Sequence, residues 1–138
     1  MFFLYQVLVL ILLILSPIII SLRIFKKKED PKRFKEKFCL PSKKRKIGNL
    51  IWFHSSSVGE LLSIIPLVYE LEKNKNINQI LITTSTLSSA EIFKNFKFKK
   101  VVHQFFPIDF FLYSYKFLNY WQPTTCLLYT SDAADDSL

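Results

Sequence analysis

The stretch Ile51–Glu60, IWFHSSSVGE, carries an apolar run rich in β-formers into three consecutive serines, then a glycine and an acid. With Leu50 in front, it predicts a strand over Leu50–Phe53, ending at Phe53 or His54, and a helix starting near Val58. Downstream, Val58–Leu71 places Leu61, Leu62, Ile65, Val68 and Leu71 on one helical face. Pro66 falls inside this segment and is expected to kink the helix or end its first part. Ile80–Thr84 and Val101–Phe106 are two further strand-like runs, and Ser88–Phe96 and Asp109–Trp121 are the helical segments that follow them. Three strands alternating with three helices read as βαβ units, hence an α/β fold with a parallel sheet and right-handed crossovers.

Composition bounds the rest. A chain of 138 residues permits one domain, and 50% hydrophobic with 16% aromatic content excludes disorder for most of it. Two cysteines, Cys39 and Cys126, cannot make a disulfide framework, and two glycines leave no room for a GxGxxG or Walker-type loop. The net charge of +8 is unevenly placed: residues 23–47 hold twelve Lys/Arg and three Asp/Glu, a local +9, leaving about −1 for everything else. Residues 1–22 read as a membrane anchor helix. Positions 2–22 contain no charged side chain, and 21 residues at a rise of about 1.5 Å match a hydrocarbon core of about 30 Å. A signal peptide would want a basic start and small residues at a cleavage site; this run has neither a preceding Lys or Arg nor an alanine. Arg23, Lys26, Lys27 and Lys28 follow immediately, so the positive-inside rule places residues 23 onward in the cytoplasm, with the cluster against anionic headgroups. Next to an apolar span, such a cluster is read as a topology signal and not as a nucleic-acid site.

Residues 23–49 are expected to form a basic juxtamembrane linker, with PSKKRKIGN at 41–49 as its turn-rich end, and 50–125 a partial α/β domain. Residues 126–138, CLLYTSDAADDSL, break the apolar, lysine-rich style of the chain. Cys126–Asp135 matches a translation of the transposon-end adapter used in preparing sequencing libraries. These residues are expected to be foreign, the natural chain being visible to about Thr124 or Thr125 as an N-terminal fragment. The alternative is a genuine polar tail after a fourth strand.

Candidate chemistry gathers in the Ser55–Glu60 loop, because ligands of open parallel sheets collect at the carboxyl ends of strands. Ser57-Val58-Gly59-Glu60 also fits S-x-x-E, a capping box with Ser57 as N-cap, and an acid in the first turn complements the helix dipole. That dipole stabilises the carboxylate and so weakens it as a base, so a catalytic Glu60 requires compensating desolvation. Both readings stand at this point. His54 and His103 lack metal-ligand spacing and read as strand-end structural residues.

The chain resembles the Kdo (3-deoxy-D-manno-octulosonic acid) transferases, membrane-bound enzymes of lipid A maturation. The resemblance rests on four blocks in order. The first is Arg33-Phe34-Lys35-Glu36-Lys37-Phe38, with Cys39 where glycine is usual. The second is Trp52-x-His54-x-x-Ser57-Val58-Gly59-Glu60, with Ser55 and Ser56 in place of small alanines. The third is Thr83-Thr84-Ser85-Thr86 with Ala90-Glu91, Leu87 and Ser89 standing where proline and glycine are usual. The last is Val101-Val102-His103-Gln104 with Pro107 and Asp109, then Trp121-x-Pro123. What the resemblance implies is the N-terminal half of a GT-B glycosyltransferase, an incomplete Rossmann-like domain behind its anchor. It would act on a lipid A precursor (lipid IVA), with CMP-Kdo as donor and inversion at the anomeric carbon. Glu60 is then the general base, and Ser57, Gly59, Thr84 and Thr86 are candidate acceptor-binding residues, although Thr84 and Thr86 also suit ordinary loop roles. The resemblance implies no metal and no cofactor beyond the donor, a place at the bacterial inner membrane with the globular part on its cytoplasmic face, and a fragment inactive without its donor domain. The competing expectations are a GT-B transferase with another donor, or a membrane-anchored basic module that binds anionic lipid or a protein.

Overall fold

A computed structural model describes residues 1–27, 30–108 and 110–128. Lys28 and Asp109, both quoted above, and residues 129–138 lie outside the described residues. The chain forms two compact units, residues 1–34 and 35 onward.

The first unit is a helix, α1 (Phe2–Phe25), about 36 Å long at the usual rise. Its apolar window has a mean hydropathy of 2.8, long and apolar enough to cross a membrane by length and composition. Pro17 sits inside the helix without breaking it. Proline has no N–H to offer the carbonyl four residues back, Leu13, and Ser16 Oγ donates to that carbonyl at 2.6 Å instead. Arg23 lies in the last turn, where a cation complements the helix dipole. Further on, Asp30 Oδ1 accepts from the Lys32 and Arg33 amides and starts the next turn.

The second unit is a four-stranded parallel sheet of order β3-β2-β1-β4. Its elements are β1 (Leu50–Ser55), α2 (Val58–Glu72), β2 (Gln79–Thr84), α3 (Leu87–Phe93), β3 (Val101–Phe105), α4 (Phe111–Trp121) and β4 (Thr125–Leu128). The side chains of β1 alternate between two cores. Phe53 and Ile51 pack with Leu61, Ile64, Ile65 and Val68 of α2 and with Ile80 and Ile82. On the other face Leu50 and Trp52 meet Leu81 and, from α4, Phe117 and Trp121. The central strand β2 is buried along its whole length, as parallel strands covered on both faces must be.

The α2 face differs by one residue from expectation. Ile64 is in the core, whereas Leu62 is 46% exposed. The buried set 61, 64, 65 and 68 keeps the i, i+3, i+4, i+7 stripe, and position 62 falls about 100° off it. Pro66 does not end the helix. Both it and Leu62, to whose carbonyl it has no N–H to donate, are on the exposed side.

Residues 35–49, expected as linker, are tied to the sheet. A short 3₁₀ turn, Phe34–Phe38, carries Glu36, which is 1% exposed and accepts from the Phe105 amide of edge strand β3 at 2.7 Å and from the Ser42 hydroxyl. Cys39 adopts φ +58°, the left-handed region that favours glycine. Burial pushes its thiol up, so it stays protonated and donates to the Tyr113 carbonyl at 2.7 Å. The guanidinium of Arg45 donates to the Trp121 and Gln122 carbonyls at the end of α4, a cationic cap supplied from a distant segment. Gln79, wholly buried, accepts from the Lys46 amide and donates to the Lys44 carbonyl. A segment with a local excess of lysine thus reads as solvated by composition, while one acid, one arginine and backbone groups fasten it.

β4 pairs with β1 in parallel, Ile51 against Thr125 through His54 against Leu128. Three of its residues, Cys126–Leu128, belong to the segment expected to be foreign. An apolar Cys-Leu-Leu satisfies a strand position whatever its origin.

Candidate functional site

The strand order makes the site. The chain steps outward from β1 to β2 to β3, then returns to the opposite side of β1, where Thr124 and Thr125, ahead of the segment expected to be foreign, already meet Leu50 and Ile51. Parallel α/β sheets bind ligands at the carboxyl ends of the strands flanking such a reversal. The loop leaving β1 at this point is Ser56-Ser57, and α2 begins at Val58.

Ser57 is the N-cap of α2, extended at φ −130° and ψ 165°, and its hydroxyl accepts from the Glu60 amide at 3.3 Å. The Glu60 carboxylate folds back one residue beyond the usual capping-box partner. Its Oε2 accepts from the Ser56 amide at 2.7 Å and the Ser56 hydroxyl at 3.0 Å. Both bonds and the helix amides favour the ionised form. Glu60 is 9% exposed, so this carboxylate is largely withdrawn from water while fixed at the mouth of the sheet. Gly59, in contrast, is exposed; a Cβ built on it meets nothing within 4 Å, and its φ is not positive. The fold does not require a glycine there, and a glycine in a helix costs about 0.5–1 kcal/mol relative to alanine. The open space in front of the helix start is the feature left to explain.

The residues after β2 divide. The Thr84 hydroxyl is wholly buried and lies 2.7 Å from Nε2 of His103. Thr86 is exposed and caps α3, accepting from the Ser89 amide at 3.2 Å. Ser55 and Thr84 are in register, so the two loops leave neighbouring strands about 4.8 Å apart. The structure therefore gathers Ser57, Gly59 and Glu60 at one helix start, with Thr86 on the adjacent loop and Thr84 enclosed beneath it.

The sequence reading noted Ser56 as one of three loop serines but gave it no part in holding Glu60, and it missed a polar chain under the loop. Trp52 Nε1 donates to Thr83 Oγ1 at 2.9 Å, and Thr83 Oγ1 lies 2.9 Å from His54 Nδ1. The imidazole packs against Phe106, ring centroids 4.4 Å apart. Burial lowers the His54 pKa, while the Glu60 charge and hydrogen bonding to Thr83 act in the opposite direction. A tryptophan and a histidine two apart in a strand share a face, which was the available signal. Among the described residues no three His, Cys, Asp or Glu side chains gather closely enough to hold a metal ion.

Residues 32–133 match the family model described as 3-deoxy-D-manno-octulosonic-acid transferase (Kdo transferase), N-terminal part. A protein of Arabidopsis thaliana named "Probable 3-deoxy-D-manno-octulosonic acid transferase, mitochondrial" is 40% identical over 96 residues, covering 70% of this chain and 22% of that protein. The 3-deoxy-D-manno-octulosonic acid transferase of Rickettsia bellii is 37% identical over 120 residues, 87% of this chain and 29% of the relative. That of Haemophilus influenzae is 32% identical over 78 residues. The chain thus spans less than a third of the length of these relatives. No solved structure matches it. An apolar N-terminal helix followed by a parallel α/β sheet is consistent with the N-terminal half of a GT-B enzyme. The matched span includes the 3₁₀ turn, the Glu60 loop and the strand that creates the switch point, and on it this chain belongs to the 3-deoxy-D-manno-octulosonic acid transferase family.

Proposed function

We propose that this chain is the acceptor-side part of a transferase that moves Kdo from CMP-Kdo to a lipid A precursor, lipid IVA, at the cytoplasmic face of a bacterial inner membrane. The observation that carries the reading is Glu60, a carboxylate withdrawn from water and fixed at the switch point of the sheet in a member of this family. In the reaction Glu60 takes the proton of an acceptor hydroxyl as that oxygen attacks the anomeric carbon of Kdo. The bond from that carbon to the cytidylate phosphate breaks, its electron pair leaves with CMP, and attack from the opposite face inverts the centre. Gly59 leaves room for the acceptor sugar against the start of α2, and Ser57 and Thr86 offer hydroxyls to it, while Thr84 sets the loop from below. This reading assigns the donor contacts to sequence outside this chain, which spans less than a third of its relatives, so the 138 residues alone are expected to transfer nothing.

The test is Glu60→Gln in the full-length enzyme, assayed with CMP-Kdo and lipid IVA. Glutamine still accepts from the Ser56 amide, so folding and membrane attachment are expected to persist. Loss of a general base lowers kcat by about 10²–10⁴-fold. Activity within a few-fold of wild type would leave Glu60 as a helix cap only.

A further inference from the structure

Helix α4 packs on the sheet through Phe117 and Trp121, and residues 38–43 run along one of its flanks. There the Cys39 thiol donates to the Tyr113 carbonyl, the Phe38 and Tyr113 rings meet edge to face, and the Tyr120 hydroxyl donates to the Lys43 carbonyl at 2.8 Å. At about 100° per residue, Phe111, Leu112 and Tyr115 fall on the side away from the sheet, and they are 74%, 54% and 59% exposed. Leu118, also exposed, adjoins them on the second flank. A helix laid beside α4 on this face of the sheet can take only that second flank, because residues 38–43 hold the first. Three large apolar side chains still point outward together, and a contiguous patch of this kind marks a surface that meets something.

Charge selects the partner. Residues 35–46 and 110–122 hold seven Lys/Arg against one acid, Glu36, and that acid is buried and bonded to the Phe105 amide. Lys43, Lys44 and Lys116 are exposed; Lys116 shares the outward arc of α4, and Lys43 lies against Tyr120. Two copies of this face would set their cations against each other, which disfavours self-association. An anionic bilayer suits both features: Phe, Leu and Tyr side chains at the boundary of headgroups and acyl chains, and ammonium groups on the headgroups. We propose that the outward face of α4 and the basic strip beside it dock on an anionic lipid bilayer, a contact distinct from the α1 span. The proposal rests on the membrane reading of α1 and adds to it. A tether alone keeps the α/β unit near the bilayer at any orientation, whereas a docked α4 fixes the orientation in which the Glu60 loop meets a lipid acceptor.

The test is Tyr115→Trp in the full-length enzyme, reconstituted into vesicles of phosphatidylethanolamine and phosphatidylglycerol. Trp52 and Trp121 are buried, so the readout is the emission that the variant adds to that of its parent. Lipids brominated high on the acyl chain are expected to cut the added emission about twofold or more, and exchanging phosphatidylglycerol for phosphatidylcholine is expected to weaken that quenching. Adding Phe111→Glu places an acid in the face and is expected to abolish the quenching, while the enzyme still floats with the vesicles through α1. Enzyme that floats but shows no quenching in the single variant overturns the proposal; blue emission that is the same in detergent and in vesicles would then assign the face to another part of the chain. Quenching that is equal with and without phosphatidylglycerol overturns the anionic surface as the partner, and quenching that depends on protein density overturns it in favour of a second copy. Enzyme that does not float at all overturns the membrane reading and the proposal with it. No donor or acceptor enters the measurement, so the result stands apart from whether Kdo is the sugar transferred.

Discussion

Glu36 and Glu60 are both nearly enclosed carboxylates, 1% and 9% exposed, that accept from backbone amides of the same unit. Their surroundings differ. Glu36 joins two distant segments, residue 36 to the Phe105 amide on the sheet edge, and its other oxygen takes the Ser42 hydroxyl. Glu60 bonds to a residue four positions away, beside a glycine that nothing in the fold demands. One acid closes the edge of a sheet, which an open parallel strand needs. The other caps a helix that a serine already caps, so its carboxylate is the one that the fold can lose most cheaply.

The contrast is broken or sharpened by exchanging the readouts. Glu60→Gln is expected to remove the most activity, about 10²–10⁴-fold, with the folded state intact. Glu36→Ala should do the reverse, costing about 3 kcal/mol in a denaturant titration because the buried Phe105 amide loses a charged acceptor. If Glu36→Ala were as stable as the wild type, residues 35–49 would be the loose linker their composition suggests. If Glu60→Gln unfolded the protein, the two acids would be alike.

Gly59→Ala separates the same roles more finely. Alanine adds a methyl group where nothing lies within 4 Å and raises helix propensity, so stability should rise by up to about 0.5–1 kcal/mol. Transfer should nevertheless fall about tenfold or more, seen mainly in KM for the lipid acceptor. Unchanged KM would mean that the space in front of α2 is not used by substrate.

How much of this was readable beforehand follows from which interactions are local. Strands β1, β2 and β3 and helix α2 announce themselves through period and composition, and Ser57-x-x-Glu60 through capping chemistry. Three features depend on partners far away in sequence, and local reading had no access to them. Arg45 caps a helix 76 residues downstream, Glu36 meets an amide 69 residues away, and β4 returns to the side of β1 that no pattern in Thr125–Leu128 specifies. The switch point that singles out the Glu60 loop is therefore topological. The departure at Cys39 reads correctly only afterwards: the position is left-handed, which suits glycine, and the cysteine there gains a thiol bond to Tyr113.

Ser55 gives the smallest effect and the cleanest control on the β1 loop. Its side chain is wholly buried, and its hydroxyl has no hydrogen-bond partner among the described residues. A buried hydroxyl without a partner is destabilising relative to a methyl group, because it gives up its bonds to water for nothing. Ser55→Ala should therefore raise stability by about 1 kcal/mol, read as a higher denaturation midpoint at unchanged slope. Because residue 55 ends the strand that delivers Ser56 and Glu60, the same variant also tests how rigid that delivery must be. Transfer activity is expected to stay within about twofold, since no bond to the Glu60 carboxylate is touched. A loss of stability would instead assign the Ser55 hydroxyl a partner, and a loss of activity at higher stability would mean that the β1 terminus has to yield as the acceptor enters.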